Sequence, residues 1–185
     1  MKRLILLLVA LLAGLGAAGQ ELSISTNLAD YALGGSLNLD AAYGVARHWS
    51  VGAGAKYSPF EAGDAPLIPE TRLLRQRTFS AGTRWWPWHI YSGWWMGAGL
   101  RWQEFSEGAE AVSETTEGDR FGGSLSAGYS AMLAPHFNLD FGLGFWGGYS
   151  LYTTYACRSC GRRLDNGSRI FILPSDLLIG ISYIF

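Results

Sequence analysis

Apolar and polar residues alternate through most of this chain with a period of two. The final ten residues set the pattern. Leu177, Ile179, Ile181, Tyr183 and Phe185 fall on one face, and Asp176, Leu178, Gly180, Ser182 and Ile184 on the other. Such alternation marks a strand with two unlike faces. Seven earlier segments repeat it. The first, about 22–33, is the least regular and opens with Leu22, Ile24, Thr26 and Leu28 against Ser23, Ser25 and Asn27. The second sets Leu37, Leu39, Ala41, Tyr43 and Val45 against Asn38, Asp40, Ala42 and Gly44. The third sets Trp49, Val51, Ala53, Ala55 and Tyr57 against Ser50, Gly52, Gly54 and Lys56. Four more begin near Phe79, Trp94, Phe121 and Phe137, and the eighth near Ile170. The expected fold class is all-β, an eight-stranded antiparallel up-and-down barrel.

The connections alternate in length. Turns at 46–48, 87–89 and 134–136 are short, while polar stretches at 59–76, 106–119 and 156–168 are long. Transmembrane barrels have short periplasmic turns on one rim and long extracellular loops on the other. An even strand count places both termini on the short-turn rim. A strand ending on a bare aromatic residue would leave an apolar edge open in water. A barrel closed in lipid has no such edge, and its outward face is apolar.

Charge sorts by face. One face of nearly every segment lacks charge, and Asp40, Lys56, Arg84, Arg101, Asp140 and Asp176 share the other with glycine and serine. These six are expected inside the barrel as a paired network, since a lone buried charge is strongly unfavourable. Trp49, Trp85, Trp86, Trp88, Trp94, Trp95, Phe137 and Phe185 are expected to form the aromatic girdle of the short-turn rim, although Trp86 and Trp95 fall on the inward face and, with Trp146, are also expected to help fill the interior. Tyr57, Phe60, Trp102, Phe105, Phe121 and Tyr155 are expected to form the other girdle.

Composition adds the compartment. The 185 residues suit one domain, and a net charge of -1 gives no reason to expect a nucleic-acid partner. Met1-Lys-Arg3 is a positive start, residues 4–13 are apolar but too few to span a bilayer as a helix, and Ala17-Ala-Gly19 resembles a cleavage site. Residues 1–19 therefore read as a cleaved signal peptide and 20–185 as the barrel.

The candidate chemistry is sparse. Cys157 and Cys160 can be half a metal site, a redox pair or a short loop disulfide. A structural zinc site needs four ligands, and His48, His89 and His136 all fall in the short turns of the opposite rim. A disulfide suits an exported protein and is the reading favoured here. Acyl transfer needs a nucleophile beside a base, and the long loops carry serines without histidine. No catalytic residue, cofactor or metal site is assigned. The stretch 106–119 is acidic through Glu107, Glu110, Glu114, Glu117 and Asp119, whereas 156–169 carries four arginines. These loops can pair with each other, bind divalent cations or lipid phosphates, or remain solvated.

Several short pieces resemble a family of uncharacterised small outer-membrane proteins of anaerobic Gram-negative bacteria. They are Ser25-Thr-Asn27, Trp49-Ser-Val51 with Tyr57-Ser-Pro-Phe60, Tyr155-Ala-Cys-Arg-Ser-Cys-Gly161 and Ile181-Ser-Tyr-Ile184. The late Cys-x-x-Cys-Gly is the most specific of them. Leu173-Pro-Ser175 stands where the family carries Gly-Pro-Thr. The ending also resembles the C-terminal assembly signal of outer-membrane barrels, through Gly180, Tyr183 and Phe185. The resemblance implies an outer-membrane location and fold, and no activity. The function expected is a non-enzymatic outer-membrane barrel presenting extracellular loops in a structural, adhesion or envelope role. Its partners are outer-membrane lipid, the barrel-assembly machinery and a surface protein or glycan that the sequence does not name. The alternatives are an outer-membrane lipid-modifying enzyme and a soluble lipid-binding barrel.

Overall fold

The computed structural model describes residues 22–34, 36–58, 72–109, 112–157 and 161–185. The segment 1–19 read as a signal peptide lies outside them. The strands are β1 (Leu22–Asn27), β2 (Leu37–Ala46), β3 (Trp49–Ser58), β4 (Arg72–Trp85), β5 (Gly93–Ala109), β6 (Val112–Ala134), β7 (Phe137–Tyr155) and β8 (Arg163–Ile184). Each pairs antiparallel with its sequence neighbour, and β8 returns to β1 with Ser23 opposite Ile184 and Asn27 opposite Gly180. The result is a closed eight-stranded antiparallel barrel.

The period-two pattern decides which side chains face out. Leu39, Leu100, Leu125, Leu143 and Ile172 are exposed on the outer wall, Leu100 at 73% and Ile172 at 78%. The alternate positions of the strands point inward, and there Ser50, Ser130, Asn138, Ser150 and Ser182 are buried. This barrel is polar inside and apolar outside, the reverse of a soluble one.

Four expectations are corrected. The irregular first segment is not one strand: β1 ends at Asn27, and Leu28–Gly34 forms a short helix, α1. Asn27 caps it, its Oδ1 accepting from Ala29 N at 3.2 Å, and Asp30 lies in the first turn, where a negative charge suits the helix dipole. Second, the long polar stretches are partly strand. β5 and β6 run on as a tall hairpin through 106–119, β4 starts at Arg72, and β8 starts at Arg163. Beyond the apolar band both faces are polar, so the alternation disappears while the backbone ladder continues. The wall is therefore uneven: β2 and β3 have 10 residues each, β6 has 23 and β8 has 22.

Third, the tryptophans of the short-turn rim divide. Trp85, Trp88 and Trp94 are exposed, but Trp86 and Trp95 are buried inside the barrel at 1% and 2% exposure. Fourth, Phe105 is inside. It lies three residues from outward Trp102, an odd step, and a strand changes face at every odd step. Of the expected residues, Trp102 and Phe121 stand in a continuous cross-strand row with Phe79 and Tyr149, whereas Tyr57 lies opposite Arg77, Tyr155 opposite Thr115, and Phe60 lies outside the described residues.

Candidate functional site

The turn between β4 and β5 closes one end of the barrel. Trp86, Tyr91, Trp95 and Ile184 pack into a buried cluster there, with Trp86 edge-on to Tyr91 at 5.7 Å. Tyr91 takes a left-handed backbone conformation at φ 61, unusual for a bulky side chain. Both of its ends are held: the hydroxyl donates to Ala42 O at 3.0 Å, and Asn138 Nδ2 donates to Tyr91 O.

Two histidines fasten this floor from adjoining turns. His48 O accepts from Trp86 N at 2.9 Å, and His48 Nδ1 lies 2.8 Å from Trp86 O. His136 repeats the device, its O accepting from Ile184 N at 2.8 Å and its Nδ1 lying 2.7 Å from Ile184 O. A carbonyl oxygen only accepts, so Nδ1 carries the proton in both rings.

Beyond the floor lies a chamber of about 190 Å³. Glycines line it on β3, β4 and β5, and at Gly52, Gly82 and Gly99 a Cβ would lie within 3 Å of neighbouring backbone, so the strands approach there more closely than a side chain allows. Of the six inward charges read from the sequence, Asp40, Lys56, Arg84 and Arg101 line this one chamber. Lys56 Nζ meets Asp30 Oδ1 at 2.5 Å. Arg84 lies over the Trp95 ring at 4.4 Å, and Arg101 over Trp146 at 5.5 Å. Asp140 stands apart near the floor, 4% exposed, where it accepts a hydrogen bond from Ser130 Oγ. The side chain of Asp176 lies outside the described residues.

Asp30 is the member that period-two reading missed, because α1 was read as strand. The signal was present as Asn27-Leu-Ala-Asp30, a capping residue followed by an acid in the first helical turn.

A second polar group crosses the barrel on the long-loop side. Arg120 Nη2 meets Glu107 Oε1 at 2.7 Å, and its Nη1 donates to Gln103 Oε1 at 3.3 Å. The guanidinium carbon lies 3.6 Å from the centre of the Phe105 ring. Gln103 Nε2 donates in turn to Gln76 Oε1 at 2.8 Å and Thr78 Oγ1 at 3.2 Å. Glu107, read as part of a loop, therefore serves an ion pair across its own hairpin.

Cys157 is disulfide-bonded, and Cys160 lies outside the described residues. Among the described residues, no cluster of three or more His, Cys, Asp or Glu side chains is placed to hold a metal ion. No described helix is long and apolar enough to cross a membrane, which says nothing about strands.

The model of a protein family of unknown function, DUF3575, matches residues 4–185. The chain belongs to this family. The DUF3575 barrel is similar to the crystal structure of the outer membrane protein OprG from Pseudomonas aeruginosa, with a TM-score of 0.54 and 15% identity over 89% of this chain and 92% of that one. At that identity the likeness is one of fold. No curated protein matches the DUF3575 chain.

Proposed function

We propose that this DUF3575 protein is a non-enzymatic outer-membrane barrel that holds a tall hairpin wall at the cell surface. The observation that carries this reading is the outer face. It is apolar around a closed ladder and bears the aromatic row Phe79, Trp102, Phe121 and Tyr149 at one level and Trp49, Trp85, Trp94 and Phe137 toward the short-turn rim. Aromatic side chains at two levels fit the two interfaces of a bilayer. A tilted strand crosses the hydrocarbon with about 9–11 residues. β2 and β3, at 10 residues each, are long enough and no longer. The excess length of β5 to β8 then rises outside the membrane, with the acidic hairpin and the Cys157 loop at its top.

The soluble-carrier alternative is disfavoured by the polar interior and the apolar outer wall. The enzyme alternative is disfavoured by the histidines, since His48 and His136 direct Nδ1 to backbone carbonyls at the turn rim. The proposed topology places both termini in the periplasm, with residues 1–19 removed on export.

The test is fractionation of the source cells with heat-modifiable gel migration. Recovery in the outer-membrane fraction, with a mature start near Gln20 by mass spectrometry and faster migration without boiling, is expected. Recovery as a soluble periplasmic monomer without detergent would overturn the proposal.

A further inference from the structure

The chamber contains one charge that the described residues leave uncompensated. Of those lining it, Lys56, Arg84 and Arg101 are basic and Asp30 and Asp40 acidic, so three bases against two acids leave one positive charge. Lys56 is tied to Asp30, and Asp40 and Arg101 have partners too. Arg84 makes no hydrogen bond or ion pair with a described residue, and its contact is the face of Trp95. A guanidinium in a low-dielectric interior needs an anionic or strongly polar partner. Stacking on a ring leaves its in-plane N–H donors available.

The wall beside Arg84 is cut back. A Cβ at Gly97 would meet Ser126 Oγ at 2.7 Å and Arg84 Cγ at 3.4 Å. The glycine thus lets the Ser126 hydroxyl and the aliphatic stem of Arg84 both close over this point of the wall. Trp95, which carries Arg84 on its ring, buries an Nε1 with no hydrogen-bond partner among the described residues.

We propose that the chamber binds a small organic carboxylate, with its two oxygens on Arg84 and Ser126 and its carbon chain toward Trp95. A planar carboxylate matches the guanidinium edge, and a single negative charge matches the positive excess among the described lining residues. A volume of about 190 Å³ admits a short carbon chain. Trp86, Tyr91 and Ile184 close the turn end.

The test is calorimetric titration of the full processed protein in lipid nanodiscs with butyrate, uncharged butyramide and inorganic phosphate. Butyrate should bind, with butyramide and phosphate about tenfold weaker or more, the loss expected when a charge-assisted hydrogen bond is removed. Arg84→Gln should weaken butyrate by a similar factor. Gly97→Ala, which displaces Ser126 Oγ and crowds the Arg84 stem, and Ser126→Ala should each weaken it several-fold and carry the test if Arg84→Gln fails to fold on heat-modifiable gels. No butyrate binding by the native protein, equal affinity in all folded variants, or butyramide or phosphate binding as tightly as butyrate would overturn the proposal.

Discussion

Asn27 and Asn38 bind each other reciprocally at the place where β1 gives way to α1. Asn38 Oδ1 accepts from Asn27 N at 2.6 Å, and Asn38 Nδ2 donates to Asn27 O at 2.9 Å. The side chain of Asn27 turns the other way, donating to Leu177 O at 3.0 Å and accepting from Ile179 N at 2.9 Å. Those bonds continue the β8 ladder past the last residue of β1. One pair of amides thus joins β2, β1 and β8 where the shortest strand of the barrel ends.

Asn38→Ala should therefore destabilise the closed barrel. It leaves the buried N–H and C=O of Asn27 without their partners, at a cost of about 1–3 kcal/mol. Urea unfolding of the refolded protein in detergent or lipid should show a lower midpoint. Asn38→Asp keeps one acceptor and loses the donor, so its midpoint is expected between the two.

The histidine fasteners predict a contrast among three turns. His48→Ala and His136→Ala each remove a side-chain bond to a carbonyl of the floor, Trp86 O and Ile184 O. Each should cost about 1 kcal/mol. Among the described residues His89 makes only a main-chain bridge with Ser92, and His89→Ala should leave the midpoint unchanged. Thermal or denaturant midpoints of the three variants check this.

The floor predicts that the native protein shows no stable, large conductance in a planar bilayer. Trp86 and Trp95 fill the turn end of the barrel. Replacing both by alanine removes that seal, and discrete conductance steps should appear if the variant still migrates as a folded barrel.

Asp140→Ala should lower the unfolding midpoint, while Glu114→Ala should not. Asp140 is buried and holds Ser130, and its loss is worth about 1–3 kcal/mol. Glu114 is exposed on the tall hairpin, where charge contacts contribute little.

Cys157 and Cys160 are proposed to bridge each other at the tip of the β7–β8 connection. Alkylation before reduction should label neither in mass spectrometry. Reduction should leave the barrel's unfolding midpoint where it was, because β7 and β8 are held below the loop by a ladder from Phe137 and Tyr183 to Tyr155 and Arg163.

Much of this architecture was legible along the chain because a strand with two unlike faces writes its period into the sequence. Leu177, Ile179, Ile181 and Tyr183 alternate with Leu178, Gly180, Ser182 and Ile184, and the outward and inward sides follow that order. Strand number and antiparallel order follow from the same pattern. It failed where period two stops carrying information. Above the apolar band both faces are polar, so the hairpin of β5 and β6 read as loop. Over seven residues α1 is too short to show a helical period, and only the cap at Asn27 and the acid at Asp30 marked it.

Other features belong to the closed ladder alone. Trp86 and Trp95 fall on the inward faces of their segments in the sequence, but that they meet Tyr91 and Ile184 in one floor is decided by the closed barrel. Asp30 on α1 reaches Lys56 on β3, and Arg84 on β4 comes to rest on Trp95 of β5. Local residue order determines which face a side chain takes. Only pairing across strands determines which residues share a level inside, and the floor and the chamber depend on that.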